Sequence, residues 1–144
     1  MVEVASLDDI GILAGERGTV VVFVANGCPT ARSYEDRLNA LAESLRPRGV
    51  NLVAVNSNNA ALSPPDTVEE MTRRAHDRGF QFPYVKDPDG ALAREFGAVC
   101  TPHAFVVDSD RNVVSRRAHR RFSTWRQDHQ QGPGERGRRP ALGA

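Results

Sequence analysis

Lysine is almost missing from this chain: Lys86 stands alone beside 18 arginines. Two cysteines, two methionines, two tyrosines and one tryptophan are all that 144 residues hold of those types. Two cysteines cannot build the disulfide framework that staples small secreted domains, so any cysteine chemistry is expected to be reactive rather than structural. No apolar run approaches the ~18 residues that a membrane span needs. The opening Met1-Val2-Glu3-Val4-Ala5-Ser6 has neither a basic leader nor a long apolar segment, so no secretory signal is legible. The expected compartment is therefore the cytoplasm, with no membrane association. No internal repeat is visible.

What is present fits one domain of ordinary globular composition, large enough to bury about two-thirds of its unfolded surface without covalent staples. The net charge of +1 hides an asymmetry. Residues up to Val114 carry 16 acidic and 11 basic side chains, a balance of −5. From Ser115 onward there are eight arginines against Asp128 and Glu135, a balance of +6. That second segment has one residue from Val, Ile, Leu and Met together, Leu142, and Phe122 and Trp125 as its sizeable apolar anchors. Such a composition cannot offset the entropy of ordering, so 1–114 reads as the folded domain and 115–144 as a disordered Arg-rich tail.

Within the domain, Ser6-Leu7-Asp8-Asp9-Ile10 predicts a short helix over 7–14. The run 19–25 is continuously apolar instead of alternating, which predicts a strand buried on both faces. Thr30 is placed to cap a helix Ala31–Arg46 whose stripe Tyr34, Leu38, Leu41, Ala42, Leu45 has helical spacing and ends at Pro47 and Gly49. Val50–Asn56 predicts a second strand, parallel to the first across a helical crossover. Residues 57–65 read as a polar loop, and 66/67 to 78 as an amphipathic helix closed by Gly79. Phe80–Val85 is extended, Asp87-Pro88-Asp89-Gly90 a turn, and Ala91–Phe96 a short helix. A strand over 103–108 then turns at 109–112 into Val113-Val114.

Both cysteines sit at junctions of these elements. Cys28 follows the first strand in Asn26-Gly27-Cys28-Pro29, where a helix should begin. A thiol at a helix's first turn faces unpaired N–H groups and the positive end of the dipole, which favour thiolate. Cys100 lies in Val99-Cys100-Thr101-Pro102-His103, and a Thr-Pro bond entering a strand is a candidate for the cis isomer.

In this order, Val22-Phe23-Val24-Ala25-Asn26-Gly27-Cys28-Pro29 resembles the strand and active-site turn of thioredoxin-like redox proteins. Gly97-Ala98-Val99-Cys100-Thr101-Pro102-His103-Ala104-Phe105-Val106-Val107-Asp108 resembles their cis-proline loop and following strand. Glu35-Asp36-Arg37-Leu38, Val55-Asn56-Ser57-Asn58 and Phe82-Pro83-Tyr84 are similar to the redoxin branch related to alkyl hydroperoxide reductase and thiol-specific antioxidant proteins (AhpC/TSA). The resemblance covers about residues 5–114. It implies an α/β thioredoxin-like fold: a central mixed β-sheet flanked by helices, with a helix–strand insert. The usual C-terminal helix has no apolar stripe to build it after Val114. The implied activity is that of a thiol-dependent oxidoreductase, peroxidase-like or disulfide-exchanging, with Cys28 as nucleophile and Pro29, Thr30, Thr101 and Pro102 forming the substrate groove. A thioredoxin- or glutathione-like thiol system would supply electrons to a peroxide or disulfide substrate, with no bound cofactor or metal.

Two departures narrow the mechanism. The dithiol partner position of a Cys-x-x-Cys site is occupied by Ala31, and the threonine that peroxiredoxins carry three residues before their cysteine is Ala25. Cys100 is then the candidate resolving partner, because in the implied fold its loop packs against the Cys28 turn. The competing readings are an inert buried thiol at Cys28, a small hydrophobe at Cys100, and a redox-inert binding module or truncated relic overall. His103 is expected as a hydrogen-bonded packing group, His76 as a solvated side chain, and a Cys28/Cys100/His103 site for a soft metal ranks third. Asn26, Thr30 and Arg32 flank the thiol and are placed to tune it. The arginine tail is read as an aberrant terminus in preference to a nucleic-acid-binding appendage. A domain clipped at both ends would expose apolar sheet surface, so self-association is expected.

Overall fold

The computed structural model describes residues 10–11 and 13–118. Five strands form one sheet in the order β3-β2-β1-β4-β5, with β1 Gly18–Phe23, β2 Val50–Asn56, β3 Tyr84–Lys86, β4 His103–Asp108 and β5 Val113–Ala118. β1 pairs parallel with β2, and β2 with β3, while β4 runs antiparallel to both β1 and β5. The α-helices between them are α1 Pro29–Arg32, α2 Glu35–Leu45, α3 Val68–Asp77 and α4 Ala91–Phe96. This is the thioredoxin-like α/β arrangement, with α3 and β3 as the helix–strand insert on the β2 edge. Among the described residues no helix is long and apolar enough to cross a membrane.

The central strand explains its own sequence. All six residues of β1 are buried because successive side chains feed opposite layers. Val21 and Phe23 join Val53, Val55, Phe105 and Leu92 on the α4 side. Val20, Val22 and Val24 join Leu38, Ala42, Leu52 and Met71 beneath α2 and α3. Phe23, Phe96 and Phe105 meet edge to face with centroids 5.1–5.7 Å apart, an arrangement the ring quadrupoles favour. Of the helix expected over 7–14, residues 7–9 and 12 lie outside the described residues; Ile10 and Gly11 are helical, and Ile10 is buried in the α4-side core.

Three expectations change in detail. The helix expected over 31–46 begins at Pro29 and breaks at Ser33–Tyr34, and Cys28 rather than Thr30 is its cap. Proline at the first helical position brings a preset φ and lacks only an N–H the helix would leave unpaired. The Ser33 hydroxyl then donates to the Thr30 carbonyl at 2.6 Å, competing with helical bonding at the break. Leu41, expected on the inward stripe, is 39% exposed. Finally, β5 spans Val113–Ala118, longer than the Val113-Val114 expected of this hairpin strand. An edge strand needs its ladder of backbone bonds more than apolar side chains, and Arg116 lays its guanidinium over the Phe105 ring at 5.7 Å. The rest of the Arg-rich segment lies outside the described residues.

Candidate active site

Cys28 leaves β1 in extended conformation (φ −104°, ψ 109°) and caps α1, its sulfur accepting the Ala31 N–H at 3.4 Å. On its other side the thiol donates to the Thr101 carbonyl at 3.6 Å, joining residues 73 positions apart. The Thr101–Pro102 peptide is cis, as the Thr-Pro sequence suggested, and Pro102 is buried beside it. Partial burial opposes ionisation of Cys28. Hydrogen bonding from the Thr101 side chain and from the Ala31 and Thr30 N–H groups, with the nearby Arg32 charge, outweighs it, so the thiol sits below its ordinary range. Cys28, Pro29, Thr30, Thr101 and Pro102 are thus brought together. Cys100 belongs to the same loop, but its sulfur is turned to the Pro102 carbonyl at 4.0 Å, and both cysteines are free thiols.

His103 is buried, stacks on Phe105 with centroids 4.4 Å apart, and accepts the Val99 N–H on Nδ1 at 3.2 Å. It therefore shapes the loop that carries Cys100, as a packing residue. Among the described residues no three His, Cys, Asp or Glu side chains gather in a group able to hold a metal ion.

The support beneath the site was not legible in the sequence. Asp66, expected at the start of the amphipathic helix, is 0% exposed. Its Oδ1 accepts the N–H of Asn26 at 2.7 Å and of Gly27 at 3.3 Å, and the Asn56 amide at 2.8 Å. Its Oδ2 accepts from the Asn58 amide and the Ser63 hydroxyl. Burial alone would raise this carboxyl; the Ser63, Asn56 and Asn58 side chains and the Asn26 N–H bring it below the usual carboxylate range. A Cβ at Gly27 would lie 3.1 Å from Asp66 Oδ2 and 3.2 Å from Ser63 Oγ, so a side chain there requires these groups to give by a few tenths of an ångström.

The lone lysine belongs to the same cluster. Lys86, 3% exposed, donates to the carbonyls of Asn58 and Asp66, both at 2.7 Å, and to Asn56 Oδ1 at 3.2 Å. Burial pushes its ammonium down, and the charges of Asp66 and Asp87 pull it partly back. The Tyr84 hydroxyl donates to Asn26 Oδ1 and accepts from Asn56, both at 3.0 Å, and its burial raises the phenol well above its ordinary range. The turn ending in Cys28 is therefore held from below by a buried polar network in which each buried charge is hydrogen-bonded. The one sequence signal for it was a pair of amide residues, Asn56 and Asn58, at the end of a buried strand.

The arrangement of a capping thiol opposite a cis-proline loop, on this sheet order, agrees with the family comparison: the model of the AhpC/TSA family matches residues 3–116. The chain belongs to the AhpC/TSA family. It is similar to a crystal structure of an uncharacterized conserved protein from Geobacillus kaustophilus, with 31% identity over 81% of this chain and 65% of that one, at a TM-score of 0.73. A hypothetical protein from Sinorhizobium meliloti matches at 30% identity over 76% of this chain and 60% of its own, with a TM-score of 0.71. This AhpC/TSA chain thus spans 60–65% of the length of those two relatives. A thiol:disulfide interchange protein of the thioredoxin family from Chlorobium tepidum shares the fold at 19% identity, covering 76% of this chain and 73% of that one, with a TM-score of 0.60. No protein of curated function matches the chain.

Proposed function

We propose that this AhpC/TSA-family protein is a thiol-dependent oxidoreductase that uses Cys28 as nucleophile, with disulfides as its main substrates. The observation that carries this reading is the Cys28 sulfur held between the Ala31 N–H and Thr101, with its thiol displaced toward ionisation. A thiolate of this kind attacks one sulfur of a disulfide; the S–S bond breaks and the other half departs as thiolate with the electron pair. Peroxide is the weaker substrate, because buried Ala25 brings no hydroxyl to hold it and Ala31 supplies only its N–H.

Cys100 is the proposed resolving thiol. It precedes the residue whose carbonyl touches Cys28, but the two thiols are not near each other and the Cys100 sulfur is turned toward Pro102, so the loop must move for its thiolate to attack Cys28 in the mixed disulfide. That step forms Cys28–Cys100 and releases the substrate's remaining half as a thiol. Reduction of the new disulfide by a thioredoxin- or glutathione-like system completes the cycle, which suits a reducing compartment such as the cytoplasm.

The test is turnover of insulin disulfide and of peroxide by the wild type, Cys28→Ser and Cys100→Ser, together with peptide mapping after diamide. Loss of disulfide turnover in Cys28→Ser, and trapping of mixed disulfide in Cys100→Ser, are expected. A folded wild type with no turnover of either substrate supports the redox-inert binding module instead. A diamide-treated sample with no Cys28–Cys100 peptide removes Cys100 from the mechanism.

A further inference from the structure

Arg32 is the exposed cation nearest in sequence to the nucleophile, and its placement is constrained. Its Nη1 donates to the Asn26 carbonyl at 3.0 Å, on the same turn that Asp66 holds from below. Among the described residues no carboxylate pairs with it, whereas the neighbouring arginines are engaged. Arg73 meets Glu70 at 2.6 Å, Arg74 grips Glu35, and Arg78 is shared between Glu35 and Asp36.

Arg32 forms one wall of a groove of about 180 Å³, whose charged lining is Arg32, Arg73, Arg74 and Arg78 against Glu70 and Asp77. Asn26 and Pro65 line it as well, so the groove borders the turn that leads into Cys28. Its volume falls below that of pockets that enclose drug-sized ligands and suits a single amino-acid-sized arm. The Arg32 charge also reaches the sulfur, where it favours thiolate. A planar guanidinium with free N–H groups is the geometry that takes a carboxylate in a two-point contact.

We propose that Arg32 and this groove receive a carboxylate of the incoming substrate, so that small acidic disulfides with arms of amino-acid size are the preferred partners of Cys28. This rests on the reading of Cys28 as nucleophile. The carboxylate seats on Arg32, the Cys28 thiolate attacks the near sulfur, and the S–S bond breaks. The far arm leaves as thiolate and takes a proton from solvent, while the near arm stays on Cys28 as a mixed disulfide. A thiol of the cellular pool, or Cys100, then displaces it with no net change beyond disulfide exchange.

The experiment compares single-turnover rate constants of the reduced protein with three small disulfides: 3,3′-dithiodipropionate, bis(2-hydroxyethyl) disulfide and cystamine. Each rate is divided by that of a free cysteine peptide, and all are taken at a pH where Cys28 is fully thiolate, which removes effects on ionisation. Wild type is expected to favour the dicarboxylate over cystamine by about fivefold, a preference that shrinks with added salt. Arg32→Gln should abolish the preference, Arg32→Glu should invert it, and Arg73→Gln should weaken it. An acid-to-cation ratio unchanged in both Arg32 variants, with all three disulfides still reacting, overturns the proposal and leaves Cys28 as nucleophile. No reaction with any disulfide overturns both.

Discussion

The Asn26 N–H donates to Asp66 Oδ1 at 2.7 Å, linking the turn before the nucleophile to a loop 40 residues further along. The same carboxylate receives Gly27, Asn56, Asn58 and Ser63, so the position of Cys28 depends on a residue that carries no chemistry of its own.

Removing that carboxylate should be costly. Asp66→Ala leaves the buried Asn26 N–H and the Asn56 amide each short of an acceptor, and a loss of roughly 3 kcal/mol is expected from groups of this kind. Urea denaturation measures it. A loss no larger than that of an exposed substitution such as Asp89→Ala would show that the network relaxes without it.

Asp66 also sets an acid limit. Its folded-state carboxyl lies below its unfolded value, so its contribution is complete above about pH 4 and is lost as pH falls through the folded value. Thermal melting from pH 6 to pH 2 should show a drop in this acid range that Asp66→Asn lacks. Parallel curves for the two proteins would assign the acid loss to other carboxylates.

Cys28 should alkylate with a pH midpoint below that of a thiol in the unfolded chain, because the folded environment favours its thiolate. Arg32→Gln, which removes the nearby positive charge that favours the thiolate, should move the midpoint upward. Iodoacetamide labelling followed by peptide mass analysis reads both, and a midpoint equal to that of the urea-unfolded chain contradicts the site as described.

The α2–α3 contact is predicted to be an independent stabilising unit. Glu35 is buried and meets Arg74 at 2.6 and 2.7 Å and Arg78 at 3.2 Å. Glu35→Ala should cost about 2 kcal/mol, below the full value of a buried pair because both arginines are partly exposed. A double-mutant cycle with Arg74→Ala isolates the coupling, and an energy within error of zero would mean that α2 and α3 are held by apolar packing alone.

The sequence by itself determined the elements whose signals are local. The apolar run at 19–25 marks a strand buried on both faces, Val50–Asn56 was legible to its ends, and position 67 and Gly79 bracket the amphipathic helix as capping chemistry requires. It also placed Cys28 at a strand-to-helix junction and Thr101-Pro102 at the entrance to β4. Only the tertiary structure decided what surrounds the sulfur. Thr101 meets Cys28 because β4 lies antiparallel against β1, opposing His103 to Phe23. Asp66 becomes the support of the turn because its loop closes over the ends of β1 and β2. Cys28 displaces Thr30 as the cap because Pro29 starts the helix two residues earlier than the apolar stripe suggests. Periodicity and capping act within a few residues and leave a pattern in the chain. Hydrogen bonds to a buried carboxylate form only when distant segments are brought together, so a polar loop reads the same whether solvent or protein receives it.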